Sequence, residues 1–433
     1  MSARADEAEP APAAVALLIV RNGVTHDARV LRAATTLRLA GFDARIVGVV
    51  TDDAPEHRSA QQGIPILRID PRSAFRTVAR GRLGAAGART APAGTPARTR
   101  ADEPAAAAAP GVSWRVRLGR LATTAAYYRR AIGVVLRARP AIVHANDYNT
   151  MWIAVAAKCL VGSRVVYDAH ELWPDRNGRW ELRPWLLACE ALFVRVADGV
   201  VTASPGYAAC MARRYRIAPP VVVRNIPAAA PGGARAAAPP PGPGPPRIVY
   251  AGGMLRGRGL EQAIDALAHV PEVRLTLIGP GSQDYLAELR RRATRAGVSD
   301  RLDVRDPVPP GELVAALAGA WLGLSLIQPV CLSYELTLPN KVFEYLAAGL
   351  PVLVSDLPVM AAFMAEHRVG EAVAADDPVA IAAAIGRLVA PDARAALERR
   401  VAAAAAALTW SRERERLLAA YRGDARQDSS RPL

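Results

Sequence analysis

Cysteine and aromatic residues are scarce in this sequence, and each scarcity excludes a class of protein. The four cysteines among 433 residues are scattered, with no C-x-x-C pair. This argues against a zinc site or a disulfide framework and favours a reducing, cytoplasmic setting. Aromatic residues make up 5% of the chain and no nucleic-acid-binding motif is present, so we expect no nucleic-acid partner.

Long apolar runs are also missing. The longest, residues 314–327, is about 14 residues, whereas a membrane-spanning helix needs about 20. Residues 1–14 carry three acidic residues and two prolines, where a secretory signal would carry an apolar run. The sequence therefore predicts a cytoplasmic protein without a leader.

Several catalytic motifs are absent. No G-x-G-x-x-G follows the first apolar run, and neither G-x-x-x-x-G-K-[ST] nor G-x-S-x-G occurs. These absences argue against a standard dinucleotide site, a P-loop ATPase and an α/β-hydrolase. No D-x-D motif is placed to hold a cation, because Asp52-Asp53 and Asp376-Asp377 are adjacent pairs. We therefore expect neither a metal nor a cofactor.

Positive charge is plentiful. Fifty-five Lys plus Arg face 40 Asp plus Glu, which gives a formal net charge of +15, and only Lys158 and Lys341 are lysines. A basic surface favours anionic partners such as phosphorylated donors or acidic lipids. Genome composition could produce the same arginine bias in so alanine-rich a chain.

Short apolar runs alternate with helical patterns along most of the chain. The predicted strands are residues 13–20, 44–50, 66–69, 141–145, 164–168, 199–203, 221–224, 247–251, 274–278, 322–327 and 351–354. The predicted helices are residues 28–40, 114–137, 150–160, 184–197, 260–269, 284–296 and 339–348, followed by an Ala-rich helix and a last helix to about residue 421. Such alternation is typical of parallel sheets covered by helices.

The predicted fold class is α/β, with two doubly wound Rossmann-like domains facing a central cleft. The domains span residues 13–227 and 247–408, joined by a Pro/Gly-rich linker at 228–246. Residues 81–111 form a flexible insertion in the first domain. We expect a disordered N-terminus at 1–12, a C-terminal helix at 409–422 and a polar tail at 423–433.

One predicted helix start has the chemistry of an anion site. Pro339 suits the first turn, and Asn340 and Lys341 lie beside N–H groups that have no partner within the helix. Glu344 lies one turn further, where its carboxylate could bind two sugar hydroxyls. The alternative is a surface helix in which Lys341 and Glu344 form an ordinary ion pair.

Two glycine-rich loops follow neighbouring strands. Gly252 and Gly253 end one strand, Arg258 precedes the next helix, and Gly279 ends the following strand. Glycines let the backbone approach a ligand closely. Such loops meet in one crevice of an open α/β sheet. Together with the helix that starts near Pro339, they predict a phosphate site there.

Polar residues follow the predicted strands of the first half. Asp27 follows the first strand, His144 and Asp147 end the fourth, and His170 and Glu171 follow the fifth. A shared sheet edge predicts that they form the facing, acceptor side of the cleft. Each histidine taken alone is more often structural.

Several of these motifs are similar to those of retaining glycosyltransferases of family 4, which have the GT-B fold. The most specific are P-N-K-V-F-E-Y-L-A-A-G-L-P at 339–351 with Ser355-Asp356, and Y-D-A-H-E at 167–171. Supporting matches are H-D-A-R-V at 26–30, R-N-I-P at 224–227 and T-W-S at 409–411. The resemblance covers roughly residues 15–421. It implies sugar transfer from a nucleotide-diphosphate donor to an acceptor with retention of anomeric configuration.

The resemblance also implies roles for single residues. Glu344 matches the glutamate that binds the ribose. Arg258 matches the basic residue that contacts the donor diphosphate, and His170 matches the histidine near the reacting centre. Gly252 and Gly253 match the start of the donor loop, and Asn340 and Lys341 lie at the helix end near the diphosphate. These matches make His170, Arg258 and Lys341 the catalytic candidates.

Two departures from the family pattern stand out. Gly253 occupies a position where many members have arginine, so one diphosphate contact is missing. Leu336 stands eight residues before Glu344, where the family has a second glutamate, and Glu335 is one position away. Glu335 is therefore retained as a donor-binding candidate through a shifted loop.

The resemblance leaves the partners broadly defined. The expected donor is a UDP- or GDP-linked sugar, and the expected acceptor is a glycan or a lipid-linked glycan in surface polysaccharide or glycolipid synthesis. Residues 114–137 mix apolar and arginine side chains, which suits peripheral binding to the inner, anionic face of the cell membrane; a helix that only covers the sheet is the alternative. A sugar-nucleotide epimerase, a phosphorylase and a non-catalytic nucleotide-sugar-binding protein stay open as other functions.

Overall fold

A computed structural model of the protein describes residues 13–25, 27–71, 114–178, 180–227, 244–309 and 311–422. The chain divides into two compact units. Of the described residues, the first unit comprises those between 13 and 71, 114–167 and 196–198, and the second comprises 168–195 and those between 199 and 422. The predicted insertion, N-terminus and tail, and the linker up to residue 243, lie outside the described residues.

The described strands form two sheets. The first, eight-stranded sheet has the order β3-β4-β2-β1-β5-β6-β7-β8, with β1 Val15–Ile19, β2 Asp43–Val49, β3 Arg58–Gln61, β4 Ile64–Ile69, β5 Ile142–Asn146, β6 Arg164–Ala169, β7 Gly199–Thr202 and β8 Val221–Val222. The second, six-stranded sheet has the order β11-β10-β9-β12-β13-β14, with β9 Arg247–Ala251, β10 Arg274–Ile278, β11 Leu302–Arg305, β12 Leu322–Ser325, β13 Val352–Ser355 and β14 Gly370–Val373.

Fourteen described α-helices connect and cover these strands. They are α1 Ala28–Leu39, α2 Trp114–Ala138, α3 Met151–Val161, α4 Arg183–Val196, α5 Pro205–Tyr215, α6 Leu260–Ala266, α7 Gln283–Arg295, α8 Leu313–Leu317, α9 Leu332–Glu335, α10 Asn340–Ala347, α11 Pro358–His367, α12 Pro378–Val389, α13 Pro391–Ala407 and α14 Trp410–Arg422. No helix in the described part of the chain is both long and apolar enough to cross a bilayer.

The strand runs are continuous and apolar because the sheets are parallel and covered on both faces. β1 pairs in parallel with β2 and β5, and four of its five residues are buried. β12 and β13 are buried along their whole length. Strands buried on both faces lose the alternation of polar and apolar residues, which is how the sequence displays them.

The order of the second sheet creates a crevice beside β9. After β9 the chain runs to β10 and β11 on one side, and it then returns to place β12 on the other side. Connections leaving β9 and β12 in opposite directions open a gap at the carboxyl ends of these strands, where ligands of doubly wound sheets bind. The glycine-rich loop 252–259 begins in this gap.

The predicted α/β class with parallel sheets is confirmed, and nearly every predicted element exists. The sequence prediction missed strands β3, β11 and β14 and helices α5, α8, α9 and α11. It was also wrong in treating the Ala-rich segment as one helix, because Pro391 starts a new helix, α13, after α12. β3 escaped notice because it is an antiparallel edge strand without buried residues.

Candidate donor site

An open cavity of about 270 Å³ lies at the carboxyl end of β9 in the second unit. Its lining combines a strand end, the glycine-rich loop and the start of α10. The lining residues are Tyr250, Ala251, Gly252, Gly253, Arg258, Asn340, Lys341 and Glu344. Six of the eight predicted donor-binding residues therefore meet in one cavity.

Gly252 brings the backbone close to the cavity's cation. Its φ of 136° is open to glycine alone, and a Cβ added there would lie 3.5 Å from Lys341 Nζ. The Gly252 N–H donates to the Ile278 carbonyl at 2.9 Å. The Tyr250 hydroxyl donates to the Gly253 carbonyl at 2.7 Å, so both glycines are held in place.

Gly279, which was predicted to bind the donor, is not among the residues that line the cavity. A Cβ on Gly279 would lie 2.2 Å from the Gly252 carbonyl oxygen, and its φ is 143°. The residue must be glycine because the two loops touch through their backbones. Gly279 therefore supports the loop that lines the cavity.

A tyrosine on α10 fixes this helix against the sheet. The Tyr345 hydroxyl accepts the Ala251 N–H at 2.8 Å and donates to the Leu324 carbonyl at 3.0 Å, which ties together the ends of β9 and β12. Gly323 leaves room for the ring, since a Cβ there would lie 2.3 Å from Tyr345 Cγ. The anchored helix presents Lys341 and Glu344 to the cavity.

Lys341 is a nearly buried cation. It is 9% exposed, and its Nζ lies 3.8 Å from the centroid of the Tyr250 ring. Burial lowers the pKa of Lys341 well below its ordinary value, nearby Arg258 lowers it further, and Glu344 opposes the shift. An anion in the cavity would place a negative charge beside the Lys341 side chain and would favour its charged, ammonium form.

Arg258 provides the second cation of the lining. Its guanidinium carbon lies 4.6 Å from the centroid of the Tyr334 ring. Gly257 and Gly259 flank it with φ of 79° and 72°, a backbone path that other residues rarely adopt. No carboxylate in the described ranges pairs with Arg258, so its charge is available to a ligand. Glu344 is half-buried and lines the same cavity.

Glu335 lies outside the lining. It is the last residue of the short helix α9, while α10 starts at Asn340 after an extended Pro339. The shifted loop proposed for Glu335 therefore does not bring it to this cavity in the structure. Leu336, which occupies the family position, offers its carbonyl to the Ser204 hydroxyl at 2.6 Å.

His170 and Glu171 belong to the second unit, but they do not line the cavity. His170 Nε2 lies 3.5 Å from the buried carboxylate of Asp168, and Glu171 pairs with Arg176 at 2.8 Å. The 3₁₀ turn Trp173–Asp175 that follows them contacts α9. The histidine segment therefore packs on the helix whose Tyr334 lies under Arg258.

The other predicted acceptor residues lie in the first unit. The Asp27 carboxylate accepts the Val30 N–H and caps α1. His144 is 0% exposed within β5 rather than at its end, so no acceptor could reach its side chain in this structure. Asp147 follows β5 with a φ of 64°. His26 lies outside the described residues.

Sequence reasoning missed the aromatic groups of the site. Tyr250 lies under Lys341, Tyr334 lies under Arg258, and Tyr345 joins two strands. The available signal was Tyr250 directly before the glycine pair, a position from which an aromatic face can meet a cation. Among the described residues, no group of three or more His, Cys, Asp or Glu side chains is placed to hold a metal ion.

Both halves of the chain match known families. Residues 245–391 match the family described as glycosyl transferases group 1, and residues 82–226 match glycosyltransferase family 4. Glycogen synthase of Mycobacterium tuberculosis is 28% identical over 318 residues, which are 69% of this chain and 71% of that protein.

Solved structures share the fold. Sucrose-phosphate synthase from Thermosynechococcus elongatus has a TM-score of 0.71 at 17% identity, covering 94% of this chain and 98% of that chain. HepE of Anabaena, solved with UDP and glucose, has a TM-score of 0.64 at 15% identity and covers 94% and 99%. At these identities the structures establish the fold alone. The two family matches, over residues 245–391 and 82–226, identify this chain as a glycosyltransferase of group 1, family 4, and the solved structures show that it has the GT-B fold.

Proposed function

We propose that the protein transfers a hexose from a UDP- or GDP-linked donor to a glycan or lipid-linked acceptor, with retention of anomeric configuration. The observation that carries the proposal is the cavity in which two cations, two glycines and one carboxylate meet. UDP and glucose bound to the structurally similar HepE support a nucleotide-sugar donor. Surface polysaccharide or glycolipid synthesis is the proposed setting.

The proposed donor pose follows from charge. Arg258, Lys341 and the first N–H groups of α10 receive the diphosphate, because cations and a helix N-terminus both stabilise anions. Gly252 and Gly253 let the backbone approach the phosphates. Asn340, at the exposed edge of the cavity, borders the same anion, and the Glu344 carboxylate accepts hydrogen bonds from the ribose hydroxyls.

The proposed reaction exchanges one bond at the anomeric carbon. The bond from that carbon to the diphosphate breaks while the acceptor oxygen bonds to the same face, and the acceptor proton passes to the leaving phosphate. Arg258 and Lys341 stabilise the negative charge that grows on the leaving group, so the proposal needs no metal. His170 is proposed to stabilise the positive sugar ring, and Glu171, Asp27 and Asp147 to contact the acceptor.

The donor role of Glu344 gives the first test. We expect Glu344→Gln to weaken donor affinity roughly 10- to 100-fold, because hydrogen bonds to a charged group contribute about 1.5–3 kcal/mol. Calorimetry with UDP-, GDP- and ADP-sugars measures the affinity. The control Glu272→Gln changes an exposed glutamate in the turn before β10 and should bind like the parent.

Turnover is then assayed with glycan and lipid extracts as acceptors, in EDTA to remove metal ions. NMR of the product's anomeric carbon shows whether the configuration of the donor sugar is retained. A parent that binds no nucleotide sugar, or a Glu344→Gln variant that binds every donor normally, would contradict the proposal. Nucleotide release without a glycoside product would indicate an epimerase instead. Binding without any turnover would indicate a non-catalytic binding protein.

We also propose peripheral attachment to the anionic inner face of the cell membrane through α2. This helix exposes Leu121 and Arg129 on one side, while Tyr127 is buried on the other. A helix that exposes both an apolar residue and a cation suits the boundary between lipid headgroups and chains. The four cysteines, which are all free thiols, support a cytoplasmic location.

A further inference from the structure

We infer that Tyr334 is a positioning residue for the diphosphate: its ring holds the guanidinium of Arg258 in the orientation that faces the donor cavity. The inference rests on the proposed function, since it assumes that Arg258 binds a nucleoside diphosphate. It adds a residue outside the cavity lining. The contacts that support it all lie within the second unit.

The first observation is the stacked pair itself. The Arg258 guanidinium carbon lies 4.6 Å from the Tyr334 ring centroid, within the range of a cation–π contact. Arginine has a long side chain with many rotamers, and fixing it costs conformational entropy. A ring that holds the side chain before the ligand arrives removes part of this cost from binding.

The second observation is that the loop carrying Arg258 lies along the segment before Tyr334. The Gln328 N–H donates to the Gly257 carbonyl at 2.9 Å. A Cβ on Gly257 would touch Val330 at 3.5 Å and Tyr334 at 3.9 Å. The loop therefore packs beside the Tyr334 ring, and the Arg258 side chain lies over that ring.

The third observation is that Tyr334 is itself held firmly. It is half-buried and packs against the core beneath α10. The residue before it, Ser333, accepts a hydrogen bond from the Tyr207 hydroxyl at 2.9 Å through its carbonyl, and Leu336 accepts one from Ser204 at 2.6 Å. The start of α5 thus anchors the segment that carries Tyr334.

The two cations of the cavity therefore each rest on an aromatic ring, but the rings differ in what they require. Tyr250 uses its hydroxyl to hold Gly253, so removing that hydroxyl would move the loop. Tyr334 acts on Arg258 through the face of its ring, which phenylalanine also has. The inference accordingly predicts different results for Tyr334→Phe and Tyr334→Leu.

The test measures UDP, GDP and ADP affinities by calorimetry. Tyr334→Leu should weaken binding of the preferred diphosphate roughly 5- to 20-fold, and Tyr334→Phe should restore it to within about twofold of the parent. Trp321→Leu is the matched control, because Trp321 lies under Arg394 at 4.7 Å, away from the cavity lining. This control should leave the affinity unchanged.

A double-mutant cycle separates positioning from general damage to the fold. In an Arg258→Ala background, Tyr334→Leu should cause no further loss of affinity, because the group it positions is gone. An equal loss in both backgrounds, or a parent-like Tyr334→Leu, would overturn the inference. So would a Tyr334→Phe variant as weak as Tyr334→Leu. A parent that binds no diphosphate would instead overturn the proposed function.

Discussion

At the scale of single residues, the side chain of Lys341 lies among opposing electrostatic influences. Its ammonium group lies over the Tyr250 ring, beside the positive Arg258 and the negative Glu344. Burial and Arg258 favour the neutral amine, whereas Glu344 and the ring favour the ammonium ion. A bound diphosphate adds negative charge and moves this balance toward the ammonium ion.

Diphosphate binding should therefore take up a proton at Lys341. With the pKa of Lys341 lowered by burial, the empty site binds fewer protons than an ordinary lysine between that lowered pKa and about 10.4. We expect UDP affinity to fall as pH rises through this window, because binding takes up protons there. Calorimetry from pH 7.5 to 9.5 in buffers of different ionisation enthalpy measures the uptake.

Lys341→Arg is the informative variant, because a guanidinium stays charged throughout this range. Its UDP affinity should show a flatter pH dependence than that of the parent. If the parent takes up no proton, Lys341 is already charged in the empty site and the linkage is wrong. If uptake is unchanged in Lys341→Arg, another group titrates on binding. The same linkage makes the empty protein more stable as pH rises through the window, since the unfolded chain binds more protons there.

At the scale of secondary-structure elements, the loop from β9 to α6 depends on Gly259. This residue precedes α6 with a φ of 72°, and a Cβ on it would lie 2.1 Å from the Leu326 carbonyl oxygen. The helix can begin beside the end of β12 only because no side chain is present. The neighbouring Arg258 takes its direction from this turn.

Gly259→Ala should therefore cost both stability and donor affinity. The control Gly297→Ala has a similar φ of 69° but open space around its Cβ, so it reports the backbone strain alone. We expect Gly259→Ala to lower the free energy of unfolding by about 1–3 kcal/mol more than the control does. Urea denaturation measures this difference, and two equal losses would mean that the turn relaxes without cost.

The elements themselves were largely predictable, because apolar runs and helical periods are local. The helix at Asn340–Ala347 and the strand at Arg247–Ala251 followed from such patterns. The helix α9 did not, because its four residues have no period of their own and are held by Tyr207 and Ser204, more than a hundred residues earlier. Contacts of that range leave no local pattern in a single sequence.

The site shows the same division. Gly252, Arg258, Lys341 and Glu344 were predicted as site residues from their places at strand and helix ends, and the structure brings them to one cavity. Gly279 was predicted to approach a ligand closely, and in the structure its backbone closely approaches the backbone of Gly252. A glycine-rich loop in a sequence indicates that the backbone closely approaches another group. Only the fold shows whether that group is a ligand or another part of the chain.

At the scale of the whole molecule, the net charge of +15 favours anionic surfaces but does not specify one. The α2 helix could give this attraction a contact point. Its Leu121 is 65% exposed, whereas Tyr127 is buried and its hydroxyl donates to the Val20 carbonyl at 3.4 Å. Membrane contact and a helix that only covers the sheet predict different behaviour on vesicles.

Membrane attachment through α2 should need both the acidic lipid and Leu121. We expect the parent to sediment with phosphatidylglycerol vesicles and not with phosphatidylcholine vesicles, and to be released by salt, because charges separated by more than about 8 Å are screened at physiological ionic strength. Leu121→Ser should weaken binding several-fold, since it removes an apolar contact with the lipid.

Leu39→Ser changes a leucine that is 70% exposed on α1 and should bind like the parent. Equal binding to both lipids would remove the electrostatic basis of attachment, and equal losses in the two variants would show that α2 is not the contact surface.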